Sequence, residues 1–145
     1  MSPHHQQVEL HATPGQWADA GIARMVDFLN ERGCNTFASC EDEDDGFAYV
    51  ACRDPESLLV AVRELAALAY DASDMALLCR ILKAGALPGL APPQPPETLW
   101  RYGVQPQWLP GRGGGSLRRP KLDLYVRIPI ADLAQLTALI NGSPD

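Results

Sequence analysis

Apolar positions recur along this chain with two different periods, and each change of period marks an element. Ala18, Ile22, Met25, Val26 and Leu29 fall at helical spacing, giving one apolar face. Thr13-Pro14-Gly15-Gln16 stands before them in the pattern of a capping box, and Gly33 stands after them as a stop. The period then drops to two. Cys34–Cys40 alternates around Phe37, and Phe47–Cys52 puts Phe47, Tyr49 and Ala51 on one face with Ala48, Val50 and Cys52 on the other. The short link between these runs predicts an antiparallel pair. Asp54-Pro55 caps and opens a second helix, whose stripe is Leu58, Leu59, Val62, Leu65, Ala66 and Ala69. Ser73 or Asp74 then caps a short element with Met75, Leu78, Ile81 and Leu82 inward and Gly85 as its stop. We read it as a helix, although an apolar run this short, residues 75–83, also fits a buried strand.

Residues 86–97 hold five of the 13 prolines and predict an extended spacer. Trp100, Tyr102 and Val104 share one side of an extended segment that Pro106 breaks. Residues 110–120, PGRGGGSLRRP, read as a Gly- and Arg-rich loop. Leu122, Leu124, Val126 and Ile128 alternate with Lys121, Asp123, Tyr125 and Arg127, a strand with one buried and one solvated face. After Pro129 a last helix turns Leu133, Leu136, Thr137 and Ile140 inward and stops at Asn141-Gly142. Residues 1–12 lack periodicity and read as a loose tail carrying His4, His5 and His11. The order α-β-β-α-(α)-β-β-α within one domain, 1–145, predicts an α+β two-layer sandwich. Its four-stranded, largely antiparallel sheet carries the helices on one face. Leu122, Leu124, Val126 and Ile128 should all face those helices.

Charge changes the picture of what the domain can bind. The net charge is −6, but residues 1–100 hold 6 basic and 15 acidic side chains while residues 101–145 hold 6 basic and 3 acidic. Phosphate repels so acidic a body, which argues against non-specific nucleic-acid binding. No apolar run approaches the ~20 residues needed to span a bilayer, and the N-terminus lacks the pattern of a signal peptide, so a cytoplasmic protein with no membrane contact is expected. The four cysteines, at 34, 40, 52 and 79, lack paired CxxC spacing and read as small buried hydrophobes rather than zinc ligands.

Candidate chemistry gathers in Thr36–Arg53, where Ser39 and Cys40 close a strand and Glu41, Asp42, Glu43, Asp44 and Asp45 follow in a row. A reactive cysteine needs a positive neighbourhood and a base, but five carboxylates follow Cys40 and no histidine lies beyond His11. We therefore expect no catalytic residue, and Ser39 fares no better. The acidic run places Gly46 sixth, as in a calcium loop, but its twelfth position is Cys52 where that loop needs a bidentate glutamate. Its other uses are a loose Mg²⁺ or Ca²⁺ site from Asp42, Asp44 and Asp45, a solvated turn, or an anionic knob that docks on a basic partner. Arg112, Arg118, Arg119 and Lys121 could hold an anion, but GxxxxGK[ST] is missing. Trp100, Tyr102 and Trp108 could stack on a ligand or form core and interface. Arg53 completes the set of candidate binding residues, and no cofactor or metal is expected.

The run VDFLNERGCNTFASCEDE followed by FAYVACRD resembles small uncharacterised bacterial and phage proteins with a helix ending in LN, a Thr-Phe/Ser-Ser-Cys strand and then an acidic residue. It covers roughly residues 25–53 and implies an accessory or counter-defence protein. More distantly, the strand resembles the Ser-Ser-Cys strand of the tRNA wybutosine-synthesising methyltransferase family, which continues with Ser-Gly-Arg where this chain has Glu41-Asp42-Glu43. The expected function is a non-catalytic binding protein, an inhibitor or adaptor with a protein partner, and a homodimer is compatible with it. The alternative is a small nucleotide- or RNA-directed enzyme or ligand-binding protein, with Ser39, Cys40, Arg53 and Arg118 around a pocket.

Overall fold

A computed structural model describes residues 6–82, 94–110 and 118–142, with 105–110 and 118–123 described by their backbone. Its main sheet has four antiparallel strands in the order β3-β4-β6-β5: β3 (Thr36–Cys40), β4 (Phe47–Cys52), β6 (Arg118–Pro129) and β5 (Arg101–Pro110). Four helices accompany it, α1 (Ala20–Glu31), α2 (Pro55–Asp71), α3 (Met75–Ile81) and α4 (Ile130–Gly142), in the predicted α+β order. Among the described residues no helix is long and apolar enough to cross a membrane.

The N-terminus differs from expectation. Residues 7–12 are not a loose tail. Gln7–Glu9 forms β1, which pairs antiparallel with β2, Trp17–Asp19, and Leu10 is buried in the core. Thr13–Gln16 is the turn between these strands rather than a capping box: Gln16 N donates to the Thr13 carbonyl at 3.0 Å. The Thr13 hydroxyl accepts from Asn30 Nδ2 instead of an early helix amide. Helix α1 therefore starts at Ala20, later than the local pattern predicts, because pairing with β1 holds Trp17–Asp19 extended. Asp27, a buried carboxylate on α1, accepts from Ala12 N at 2.9 Å and ties the hairpin down. His4 and His5 lie outside the described residues.

Helix α2 starts as predicted, with Asp54 accepting from Ser57 N at 2.7 Å and Pro55 in the first turn. Its inward face is Ser57, Ala61, Leu65 and Ala69; Leu58, Val62 and Ala66 pack at the margin, and Leu59 is exposed. The stripe is thus rotated toward its smaller residues. Residues 75–81 are a helix, capped by Asp74 through Leu77 N, with Leu77, Cys79 and Ile81 buried and Leu82 exposed. The predicted stop at Gly85 lies outside the described residues, as does the proline-rich run up to residue 93.

Side chains from β4 (Ala48, Val50, Cys52), from β6 (Val126, Ile128) and Trp100 meet the helices in one continuous core. Leu124 is half-buried, and the side chain of Leu122 lies outside the described set. Cys34, Cys52 and Cys79 are buried free thiols, with the first two sulfurs 3.9 Å apart. One polar device inside the core was not legible as such: Asp132, buried at the start of α4, accepts from Trp100 Nε1 at 3.0 Å and from both Nε and Nη2 of Arg80 at 3.1 and 2.9 Å. It joins α3, α4 and the strand entry at Trp100 through one carboxylate.

Candidate interaction surface

The acidic turn is assembled by its own carboxylates. Glu41 accepts from Gly21 N at 3.0 Å, placing an anion at the positive end of α1. A Cβ on Gly21 would stand 3.0 Å from that carboxylate, so glycine permits the approach. Asp19, which makes no cap bond to its own helix, accepts from Glu41 N at 3.0 Å instead. Asp42 accepts from Asp44 N at 2.8 Å, a bond that steadies Asp44 in its left-handed conformation at φ 65°. Asp45 accepts from Phe47 N at 3.0 Å and pairs with Arg127. Three of the five carboxylates, Glu41, Asp42 and Asp45, thus serve the fold, and Glu43, Asp44 and Asp45 are exposed.

Cys40 does not acquire the surroundings of a nucleophile. Its thiol donates to the Asp42 carbonyl at 3.2 Å. Burial, with Glu43 and Asp19 adding repulsion, pushes it above the ordinary thiol range, against a lowering contact with the Asp42 backbone. Ser39 pairs with Val50, a core-facing position, whereas Cys40 pairs with Tyr49 on the opposite face. Arg53 stands four residues beyond Tyr49, about 13 Å along the strand direction. The structure therefore does not bring Ser39, Cys40 and Arg53 together. Among the described residues no group of three or more His, Cys, Asp or Glu side chains could hold a metal ion.

Two aromatic candidates belong to the interior rather than to a binding surface. Trp100 is fully buried, and Tyr102 packs against the core with its hydroxyl donating to the Ile81 carbonyl at 2.6 Å. Arg112 lies outside the described residues; Arg118 and Arg119 lie at the start of β6, where the side chains are outside the described set, as is that of Trp108 on β5.

The sheet face turned away from the helices carries residues that the initial reading of the chain left out. Phe47 and Ala51 are buried yet stand apart from the core cluster. By strand alternation and register they share a face with Tyr49, with Tyr125 and Arg127 on β6, and with Arg101 and Gly103 on β5. Arg101 and Arg127 occupy paired positions, and their guanidinium carbons stand 4.5 and 5.6 Å from the Phe47 ring centre. Arg127 Nε is buried without a hydrogen-bond partner among the described residues. Tyr125 leans across Gly103, where a Cβ would stand 2.5 Å from its hydroxyl oxygen. At the far end of β4 the Arg53 guanidinium stands 5.7 Å from the ring of Phe37, the residue at the register shift of β3. The signal for this face was present in FAYVAC, a strand with no polar residue on either side, since strands covered on both faces read as continuous apolar runs.

No protein-family model, no curated protein and no solved structure matches the chain.

Proposed function

We propose that this chain is a non-catalytic interaction protein that engages a protein partner through the sheet face turned away from its helices. The observation that carries the reading is the second apolar face of β4, with Phe47, Tyr49 and Ala51 on the side turned away from the helices. Tyrosine and arginine dominate binding hot spots, and Tyr49, Tyr125, Arg101 and Arg127 surround that strip. The raised Cys40 thiol and the separation of Ser39, Cys40 and Arg53 support binding over catalysis. An accessory or counter-defence adaptor acting in the cytoplasm, as the resemblance over residues 25–53 implies, is the setting we favour.

Capture from cell lysate with the wild-type chain and with Tyr49→Asp tests this. A protein retained by wild type and lost by a folded Tyr49→Asp supports it. A nucleotide that raises the melting temperature by several degrees would instead move the reading to the small-ligand alternative beside Cys40.

A further inference from the structure

We infer that Cys34 and Cys52 are a redox-responsive pair, two buried thiols that close reversibly into a disulfide at the root of the β3–β4 hairpin. Their sulfurs stand 3.9 Å apart, and both residues are buried and free. The pairing is specific to these two. Cys40 lies on the other face of the sheet with its thiol on the Asp42 carbonyl, and Cys79 lies on α3.

The backbone holds the two thiols in this relation. Cys34 follows α1, with its N–H donating to the Leu29 carbonyl at 3.1 Å. Cys52 ends β4 among the core side chains. One residue further along each segment, Arg53 N donates to the Asn35 carbonyl at 2.9 Å, and Asn35 N donates to the Ser57 hydroxyl at 2.8 Å. Segments tied this close to the cysteines keep the sulfurs together. A disulfide bond is about 2.05 Å long, so from 3.9 Å each sulfur must advance about 0.9 Å. A turn of about 30° around each Cα–Cβ bond supplies that movement.

The contact also divides the roles of the two sulfurs. The hydrogen bond between them lowers the Cys52 thiol and, together with burial, raises that of Cys34. Cys52 is thus the attacking sulfur and Cys34 the resolving one. The oxidant is a small-molecule disulfide of the glutathione type. The Cys52 thiolate attacks one of its sulfurs, forms a mixed disulfide and expels one thiolate. Cys34 then gives its proton to solvent and attacks the Cys52 sulfur, which forms the Cys34–Cys52 bond and expels the second thiolate. In sum the protein loses two electrons and two protons, and the reagent becomes two thiols. Both sulfurs are shielded from solvent, so the first attack needs local opening and the exchange is slow. The β3–β4 ladder is already interrupted between Thr36 and Ala38, beside the pair, and the hairpin opens there first.

The bond closes residues 35–51 into a ring that contains β3, the acidic turn and β4. Such a ring removes freedom from the unfolded chain and raises stability. In a reducing compartment the pair stays a dithiol, and the hairpin locks when the disulfide pool rises. Nothing in this depends on the sheet face as an interface.

The full chain, brought to equilibrium in glutathione buffers of graded oxidised-to-reduced ratio, quenched with acid and alkylated, tests the inference. Chymotryptic cleavage after Phe37 and after Phe47 or Tyr49 puts Cys34, Cys40 and Cys52 on separate peptides, so mass spectrometry reads which are joined. Oxidised wild type should carry a Cys34–Cys52 link, melt at least about 3 °C above the reduced chain and revert in dithiothreitol. Cys34→Ala and Cys52→Ala should each abolish the link and the oxidation-dependent rise. Where an alanine variant does not fold, the wild-type map decides alone. Cys34 and Cys52 recovered as free thiols at the most oxidising ratio overturn the inference, whatever Cys40 takes up. So does a mixed disulfide on either residue that goes no further, a link that forms only in urea, or a link that raises the melting temperature by less than that amount.

Discussion

Replacing Asp132 by alanine should be among the most damaging single changes to this fold. Its carboxylate is 5% exposed and neutralises Arg80, whose side chain is 17% exposed, while also accepting from the buried Trp100 indole. Removing one partner of a buried pair costs ~3–5 kcal/mol, because the other charge stays behind without compensation. Arg80 keeps its 2.9 Å bond to Gln94 and some contact with water, which favours the lower end, about 3 kcal/mol. In a chain of this length each kcal/mol lowers the melting temperature by roughly 2–4 °C, so a drop of about 6–12 °C is expected. Urea unfolding followed by tryptophan fluorescence and by circular dichroism supplies the free energy. The decisive comparison is Arg80→Met with Asp132→Leu. Apolar residues of similar length strand no charge, so this double variant should lie within about 1–2 kcal/mol of wild type, the remainder being the unpaired Trp100 N–H. A loss below 1 kcal/mol for Asp132→Ala, or a double variant as unstable as the single one, would refute the reasoning.

Three other outcomes follow from the geometry. Ser57, through its N–H and then its hydroxyl, holds the Asp54 carboxyl below its ordinary value. Its stabilising effect is complete above the ordinary aspartate range and is lost as pH falls through the lowered one; Asp54→Asn, which keeps a capping oxygen, should flatten the acid limb of a melting-temperature profile. Burial raises the Tyr102 hydroxyl above the ordinary tyrosine value, so the folded state holds that proton longer. That contribution is intact at neutral pH and lost as pH climbs past the ordinary tyrosine range, and Tyr102→Phe should lessen the alkaline loss seen by circular dichroism. Millimolar Mg²⁺ or Ca²⁺ should leave the melting temperature unchanged, because Asp42 and Asp45 already accept backbone amides and Asp45 pairs with Arg127. A shift of several degrees in wild type that is absent from Asp42→Asn with Glu43→Gln and Asp44→Asn would overturn this.

Periodicity alone determined most of the two-layer architecture, because each main element carries its own signal. Asp54-Pro55 starts a helix wherever the chain places it, since cap and first turn are local. Val126 and Ile128 face the core because a strand has only two sides. Thr13–Gln16 shows the limit of such signals. Its capping pattern is real, but pairing of residues 7–9 with 17–19 holds the chain extended for one more turn, and no local pattern reports a partner ten residues away. The acidic run shows the same limit at the candidate site. Five adjacent carboxylates look alike in sequence, yet their tasks differ because α1, Phe47 and Arg127 each approach a different one. Alternation along β3 already separates Ser39 from Cys40, whereas tertiary structure alone decided between the two uses open to Trp100 and Tyr102 and drew both inward. Tertiary structure also turned one side of β4 away from the helices, which depends on where the helices pack; the strand's own residues are apolar on both sides and express no preference between them.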